Sequence, residues 1–77
     1  LTERDRMEEF MFLGLRMMEG VSMEKFERYF GKPYMEVYGK VQKKMEDKRF
    51  LINDNGYVKL TEFGIDLSNY VMSEFLF

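Results

Sequence analysis

The Asn55-Gly56 dipeptide constrains the fold of this chain more than any other feature. Asn-Gly strongly favours the two-residue turn of a β-hairpin. The flanking runs Phe50–Ile52 and Tyr57–Leu60 are rich in side chains that favour strands. We therefore predict a two-stranded β-hairpin in this part of the chain.

Two helices are predicted at the start of the chain. Thr2 and Asp5 have the spacing of a capping box and mark the start of the first helix, and Gly20 marks its end. Ser22 is the predicted N-cap of the second helix. That helix ends at Gly31–Pro33, because proline disfavours the helical conformation of the residue before it.

A third helix follows Pro33 and is amphipathic. Its apolar stripe consists of Tyr34, Val37, Tyr38, Val41 and Met45. Its basic outer side consists of Lys40, Lys43, Lys44 and Lys48. After the hairpin, Thr61 caps a last helix with one apolar side. That side consists of Phe63, Leu67, Tyr70, Val71 and Phe75.

The resulting order is three helices, a β-wing and a C-terminal helix, which is the pattern of a winged helix-turn-helix. Val21 is placed to add a short third strand beside the hairpin. We predict a mainly α-helical fold with a small β-hairpin, formed by residues 1–77 as one domain. A chain of 77 residues is long enough for one core only.

Composition excludes several kinds of site. The chain contains no Cys and no His, so it lacks the thiolate and imidazole ligands of most zinc, iron–sulfur and haem sites. It also lacks the commonest nucleophile–base pairs, and we predict no catalytic, cofactor-binding or metal-binding residue. No apolar run is long enough to span a membrane, and we expect a soluble, cytoplasmic domain.

Methionine and tyrosine side chains can also ligate haem iron. The candidates are Met17, Met18, Tyr29, Tyr34 and Tyr38. Their helical spacing is typical of core residues, so we interpret them as core rather than as ligands.

The basic side of the third helix raises an alternative function. In a helix-turn-helix the helix after the turn enters the major groove, and Lys40, Lys43, Lys44 and Lys48 would suit phosphate contacts. Against this, the net charge of the chain is −2, and Gln42 is the one side chain of this helix suited to reading base edges. A solvated basic face is the preferred interpretation, and nucleic acid is not an expected partner.

Both ends of the chain resemble one family. The first matching residues are Met7–Arg16, Glu19–Ser22, Phe26 and Phe30-Gly31. The last matching residues are Gly56, Leu60-Thr61, Gly64, Leu67–Asn69, Val71 and Phe75-Leu76. These segments resemble the C-terminal domain of the oxygen-independent coproporphyrinogen III oxidase family. The first segment is closer to the haem chaperone branch than to the branch that decarboxylates coproporphyrinogen.

The resemblance implies a longer parent protein of porphyrin or haem metabolism, either an oxidase or a haem chaperone. Such a parent carries a radical S-adenosylmethionine barrel ahead of this domain, with a Cys-x-x-x-Cys-x-x-Cys motif for a [4Fe–4S] cluster. That motif is not in this chain, so no catalytic or cofactor-binding residue of the family transfers to it. The role that the resemblance implies here is an accessory domain that packs on the barrel.

The first helix is apolar on nearly all sides, and the chain ends on three apolar residues. One small core cannot enclose them all. We therefore predict an exposed apolar patch that docks on the barrel or on a second copy of the chain. The predicted patch consists of Phe12, Leu13, Leu15, Phe75, Leu76 and Phe77.

Overall fold

The fold was obtained as a computed structural model that describes all 77 residues. Five helices and three strands follow one another along the chain. In chain order they are α1 (Glu3–Leu15), β1 (Val21–Ser22), α2 (Met23–Phe30), α3 (Tyr34–Asp47), β2 (Leu51–Asp54), β3 (Tyr57–Leu60), α4 (Glu62–Asp66) and α5 (Ser68–Ser73). The prediction of a mainly helical fold with a small β-hairpin is confirmed.

The three strands form one antiparallel sheet in the order β1-β3-β2. Asn55 and Gly56 both have positive φ, at 51° and 88°, as a mirror-image hairpin turn requires. The Gly56 amide donates a hydrogen bond to the side-chain oxygen of Asn53 at 2.9 Å. Val21 pairs with Val58, so the predicted third strand is also confirmed.

The predicted helix starts are confirmed by their hydrogen bonds. The Thr2 hydroxyl accepts from the Asp5 amide at 3.1 Å, and the Asp5 carboxylate accepts from the Thr2 amide at 3.1 Å. The bond from the Thr2 amide holds the pKa of Asp5 below its usual value. The Ser22 hydroxyl accepts from the Lys25 amide at 3.1 Å, and Gly31 ends α2 in the left-handed conformation.

Helix α1 ends at Leu15, and the prediction that it continues to Gly20 is wrong. Gly14 lies so close to β1 that an added Cβ would stand 2.5 Å from a Val21 methyl carbon. Gly20, at φ 81°, fits against the backbone of Val58. The chain must therefore turn back between residues 15 and 21 to bring β1 into the sheet, and this turn takes Met17 out of the helix.

The last helix is two short helices rather than the single one predicted. They meet at Leu67, whose backbone (φ −117°, ψ 31°) is not helical. Gly64 in α4 packs so closely on the start of the hairpin that an added Cβ would stand 2.0 Å from the Phe50 carbonyl oxygen. With α4 held there, the chain bends to bring Val71 of α5 into the core, while Phe63 stays 64% exposed.

The core is one cluster of apolar side chains drawn from every part of the chain except α4. It contains Met7, Met11, Leu15, Val21, Phe26, Tyr34, Tyr38, Met45, Leu51, Val58, Val71, Met72 and Phe75. Phe26 is at its aromatic centre, with ring centroids of Tyr34 and Tyr38 at 5.4 and 5.9 Å. None of the helices is both long and apolar enough to cross a bilayer.

Candidate functional site

The predicted apolar patch is not one continuous exposed surface. Leu15 is 4% exposed and Phe75 is fully buried, so their assignment to an exposed surface is wrong. Leu15 follows the buried Met11 by one helical turn and shares its inward face. Phe75 packs edge-on against Tyr38, with ring centroids 5.0 Å apart. Phe12 is half-buried against the core.

Leu76 and Phe77 are about half exposed, at 50% and 53%. The Phe77 ring stacks on Tyr38 at 5.3 Å and carries the Arg4 guanidinium above it at 5.4 Å. Its amide donates to a carboxylate oxygen of Glu8 at 2.9 Å. The C-terminal end is therefore partly covered by α1 of the same chain.

A different surface gathers exposed apolar side chains around the turn after α1. Met17 is 57% and Met18 is 98% exposed, and Ile65 of α4 faces them at 61% exposed. They line an open groove of about 400 Å³, which we call the methionine groove. Its lining consists of Leu15, Arg16, Met17, Met18, Lys59, Leu60, Ile65, Ser68, Asn69 and Met72.

A second groove of about 230 Å³ lies on the other side of Met17. We call it the aromatic groove, because exposed Tyr29 and Tyr57 line it together with Leu13. Its full lining is Phe10, Leu13, Gly14, Met17, Glu19, Gly20, Val21, Ser22, Lys25, Tyr29 and Tyr57. Met17 lines both grooves, and we call the two adjoining grooves together the apolar strip.

This strip corrects the interpretation of Met17, Met18 and Tyr29 as core residues, since all three are exposed. The interpretation holds for Tyr34 and Tyr38, which are buried. Their hydroxyls donate to Gln42 and to the Phe75 carbonyl, and desolvation raises the pKa of both tyrosines well above the usual value.

The lysines of α3 do lie together. Lys40, Lys43, Lys44 and Lys48 line a shallow depression with Asp47. The carboxylate of Glu74 accepts a hydrogen bond from Lys44 at 2.7 Å and raises the pKa of that lysine. Lys48 lies over the ring of Tyr70 at 5.7 Å. Two of the four ammonium groups are thus already engaged within the chain.

Gln42, the one side chain of α3 suited to base edges, is 1% exposed and inaccessible to DNA. No group of three or more Asp and Glu side chains is arranged to hold a metal ion. The structure therefore presents one apolar strip and one basic face as candidate sites.

Residues 1–67 match the family described as the HemN C-terminal domain. The chain belongs to this family. It is 37% identical over 76 residues to the heme chaperone HemW of Lactococcus lactis subsp. lactis (strain IL1403). It is 36% identical over 76 residues to the heme chaperone HemW of Bacillus subtilis (strain 168).

Each of these alignments covers 99% of this chain and 20% of the HemW protein. A HemN C-terminal domain thus spans about a fifth of the length of both relatives. The resemblance to the haem chaperone branch is confirmed by these matches. No solved structure matches the chain, so the winged-helix assignment stays a prediction.

Most of the apolar strip has no signal in the sequence pattern. The signal that was available is the pair Met17-Met18 next to Glu19-Gly20. Adjacent residues of a helix point about 100° apart, so a pair of methionines indicates apolar side chains on more than one side of the chain at this point. The contribution of Ile65 has no comparable signal, because it depends on where α4 packs.

Proposed function

We propose that this chain is the accessory C-terminal domain of a radical S-adenosylmethionine protein of haem metabolism and that it packs on the rest of that protein. The observation that carries the proposal is its membership of the HemN C-terminal domain family, with relatives named heme chaperones that are five times longer. In this proposal the barrel, its [4Fe–4S] cluster and S-adenosylmethionine belong to the part ahead of this domain. The protein is placed in the cytoplasm and handles haem or a porphyrin precursor.

The aromatic groove is the proposed contact with that preceding part. Leu13, Tyr29 and Tyr57 are 56%, 69% and 38% exposed around it. Tyrosine is enriched at protein interfaces because it combines a large apolar ring with a polar tip. Glu19 and Lys25 supply charges of both signs at its rim, as expected of an interface with a polar edge.

The coding sequence ahead of Leu1 gives the first test. The proposal expects a barrel there with a Cys-x-x-x-Cys-x-x-Cys motif, and a reading frame without it would contradict the radical S-adenosylmethionine assignment. The preceding part and this chain are then purified separately and mixed in a titration calorimeter. Saturable one-to-one binding is the expected result.

Two variants locate the contact. Leu13→Glu places a charge in the proposed interface and should weaken binding by about tenfold or more, since buried unpaired charges are costly. Met35→Glu is the matched control, because Met35 is also exposed, at 49%, and lies on α3 away from the groove. Equal binding by both variants would place the contact elsewhere. Sedimentation of this chain alone tests the alternative occupant, a second copy of the chain.

A further inference from the structure

Met17 and Met18 are adjacent thioether side chains on the exposed turn after α1. We propose that they form a reversible oxidation site for peroxide, and that the sulfoxide of Met17 weakens the docking of the preceding part. The oxidation site follows from the different exposures of the eight methionines. The effect on docking rests on the proposed function, which supplies the contact at the aromatic groove.

The eight methionines differ in their access to solvent. Met18 is almost fully exposed, and Met17 and Met35 are each about half exposed. Met23 is partly buried, and its sulfur accepts a hydrogen bond from the side-chain amide of Asn53 at 3.8 Å. The remaining four are buried in the core, namely Met7, Met11, Met45 and Met72. Because peroxide must reach the sulfur, Met18 should oxidise first, Met17 and Met35 next, and the core methionines last.

The turn that carries Met17 and Met18 is held by backbone contacts rather than by these side chains. The Met17 amide donates to the Gly14 carbonyl at 3.1 Å, and the Gly20 amide donates to the Met17 carbonyl at 3.0 Å. Gly20 also fits against the backbone of Val58. Neither methionine side chain belongs to the buried core cluster. Oxygen added to either sulfur should therefore change the surface of the turn and leave the fold intact.

The reaction is a two-electron oxidation of a thioether by hydrogen peroxide. A lone pair of the sulfur forms a bond to one peroxide oxygen, the O–O bond breaks, and the hydroxide that leaves takes the remaining proton to give water. The sulfur is oxidised to the sulfoxide, and the peroxide is reduced. Sulfoxide reductases, one for each epimer at sulfur, return two electrons and two protons from thiols, and the oxygen leaves as water. The site is therefore reversible.

Met17 connects this chemistry with docking, because it lines the aromatic groove together with Leu13 and Tyr29. Oxidation converts its apolar side chain into a polar one. An apolar partner surface that covers the sulfoxide oxygen removes it from water without supplying a hydrogen-bond donor, so docking should weaken by about tenfold. Met18 does not line the aromatic groove, so its sulfoxide should leave docking unchanged. Met18 is thus the faster site, and Met17 is the one that affects the contact.

The oxidation site is tested on the 77-residue chain alone. Hydrogen peroxide is added, samples are quenched over time, and tandem mass spectrometry locates the added oxygen. Met18 should react first, and the core methionines should react only when the chain is unfolded in urea. Both sulfoxide reductases with dithiothreitol should restore Met17 and Met18. Equal rates at all eight methionines of the folded chain, or sulfoxides that the reductases do not restore, would overturn the oxidation site.

Leucine variants separate the two methionines in the docking measurement. Each chain is treated with peroxide, freed of it with catalase and titrated with the untreated preceding part, and its binding is compared with that of its own untreated form. Treatment should weaken docking of the unsubstituted chain and of Met18→Leu by about tenfold, and should not weaken docking of Met17→Leu. Met35→Leu is the matched control and should respond like the unsubstituted chain, because Met35 is similarly exposed but lies on α3. Equal weakening in Met17→Leu would overturn the role of Met17.

The proposed interface and the oxidation site fail in different ways. Absence of binding by the untreated chain removes the interface and the effect on docking with it, whereas the mass spectra still decide the oxidation site. Binding that peroxide treatment leaves unchanged overturns the effect on docking only. The melting temperature of the chain oxidised at Met17 and Met18 should equal that of the untreated chain. A lowered melting temperature would assign the loss of docking to unfolding and would overturn the effect as well.

Discussion

Gln42 is the one polar side chain in the otherwise apolar interior. Its amide oxygen accepts from the Tyr34 hydroxyl at 2.7 Å, and its amide nitrogen donates to the Glu46 carboxylate at 3.1 Å. Every buried side-chain polar atom in the structure has a partner. Tyr34 and Gln42 therefore satisfy each other inside the core, and each depends on the other for its hydrogen bond.

Removing both partners should cost less than the sum of the two single removals. Tyr34→Phe leaves the Gln42 oxygen without a donor inside the core, and Gln42→Leu leaves the Tyr34 hydroxyl without an acceptor. Each should lower the free energy of unfolding by about 1–3 kcal/mol. The double variant should lie closer to the unsubstituted chain than the sum of the two. Urea unfolding followed by circular dichroism measures the unsubstituted chain, the two single variants and the double variant. Strictly additive losses of stability would contradict the coupling between Tyr34 and Gln42.

Tyr34 and Tyr38 also make the stability of the fold depend on pH in the alkaline range. Desolvation raises the pKa of Tyr34 and of Tyr38, so the folded chain keeps both protons at a pH where the unfolded chain releases them. Stability is therefore fully present below the usual tyrosine pKa of about 10 and falls as pH rises above it. Melting temperatures measured from pH 8 to pH 11 should fall above pH 10, and Tyr34→Phe should flatten that fall. A parallel fall in the variant would show that other groups govern it.

Among the secondary-structure elements, α4 shows why some boundaries could be predicted and others not. Thr61 was recognised as its cap, and its hydroxyl accepts from the Gly64 amide at 3.0 Å. The cap is a local signal in sequence. The break at Leu67 is not, because it follows from the contact of Gly64 with Phe50, fourteen residues away in sequence. The early end of α1 has the same kind of cause, the contact of Gly14 with Val21.

Two glycines in helices should respond to alanine with opposite signs. At Gly64 the added Cβ would meet a backbone carbonyl at 2.0 Å, and we expect a loss of about 1–3 kcal/mol. At Gly39 in α3 the nearest atom is the end of the Met35 side chain at 3.9 Å. There alanine should stabilise by up to about 1 kcal/mol, because it has the higher helix propensity. Thermal unfolding of both variants tests these expectations. A melting temperature of Gly64→Ala that is not lowered would contradict the close contact between Gly64 and Phe50.

For the whole molecule, the sequence pattern predicts the fold better than the candidate site. Hairpin, caps and core stripe follow from local patterns, and they were predicted. The apolar strip is assembled from α1, the turn after it, β1, α2, β3, α4 and α5. No local sequence pattern predicts which elements contact one another. Thus Leu13 was identified as exposed, whereas Leu15 and Phe75 were wrongly placed beside it.

The basic face should give weak DNA binding at most. Lys44 and Lys48 are engaged with Glu74 and Tyr70, and eleven of the fourteen acidic residues lie outside residues 32–49. A few phosphate contacts give weak, salt-sensitive binding. Fluorescence anisotropy with duplex DNA near physiological salt should show no sub-micromolar, sequence-dependent affinity. Such an affinity, lost in Lys40→Ala with Lys43→Ala, would instead support the nucleic-acid alternative.

The strand order β1-β3-β2 also sets a sequence of events in folding. Strands β2 and β3 are joined by a two-residue turn, whereas Val21 of β1 must pair with Val58, which lies nearly half of the 77-residue chain away in sequence. Closing that long loop is the larger entropic cost, so the hairpin should form first and β1 should join after the rate-limiting step. Stopped-flow kinetics of variants in β1 and in the hairpin turn test this order of folding. Val21→Ala should mainly speed unfolding, and Gly56→Ala should mainly slow folding.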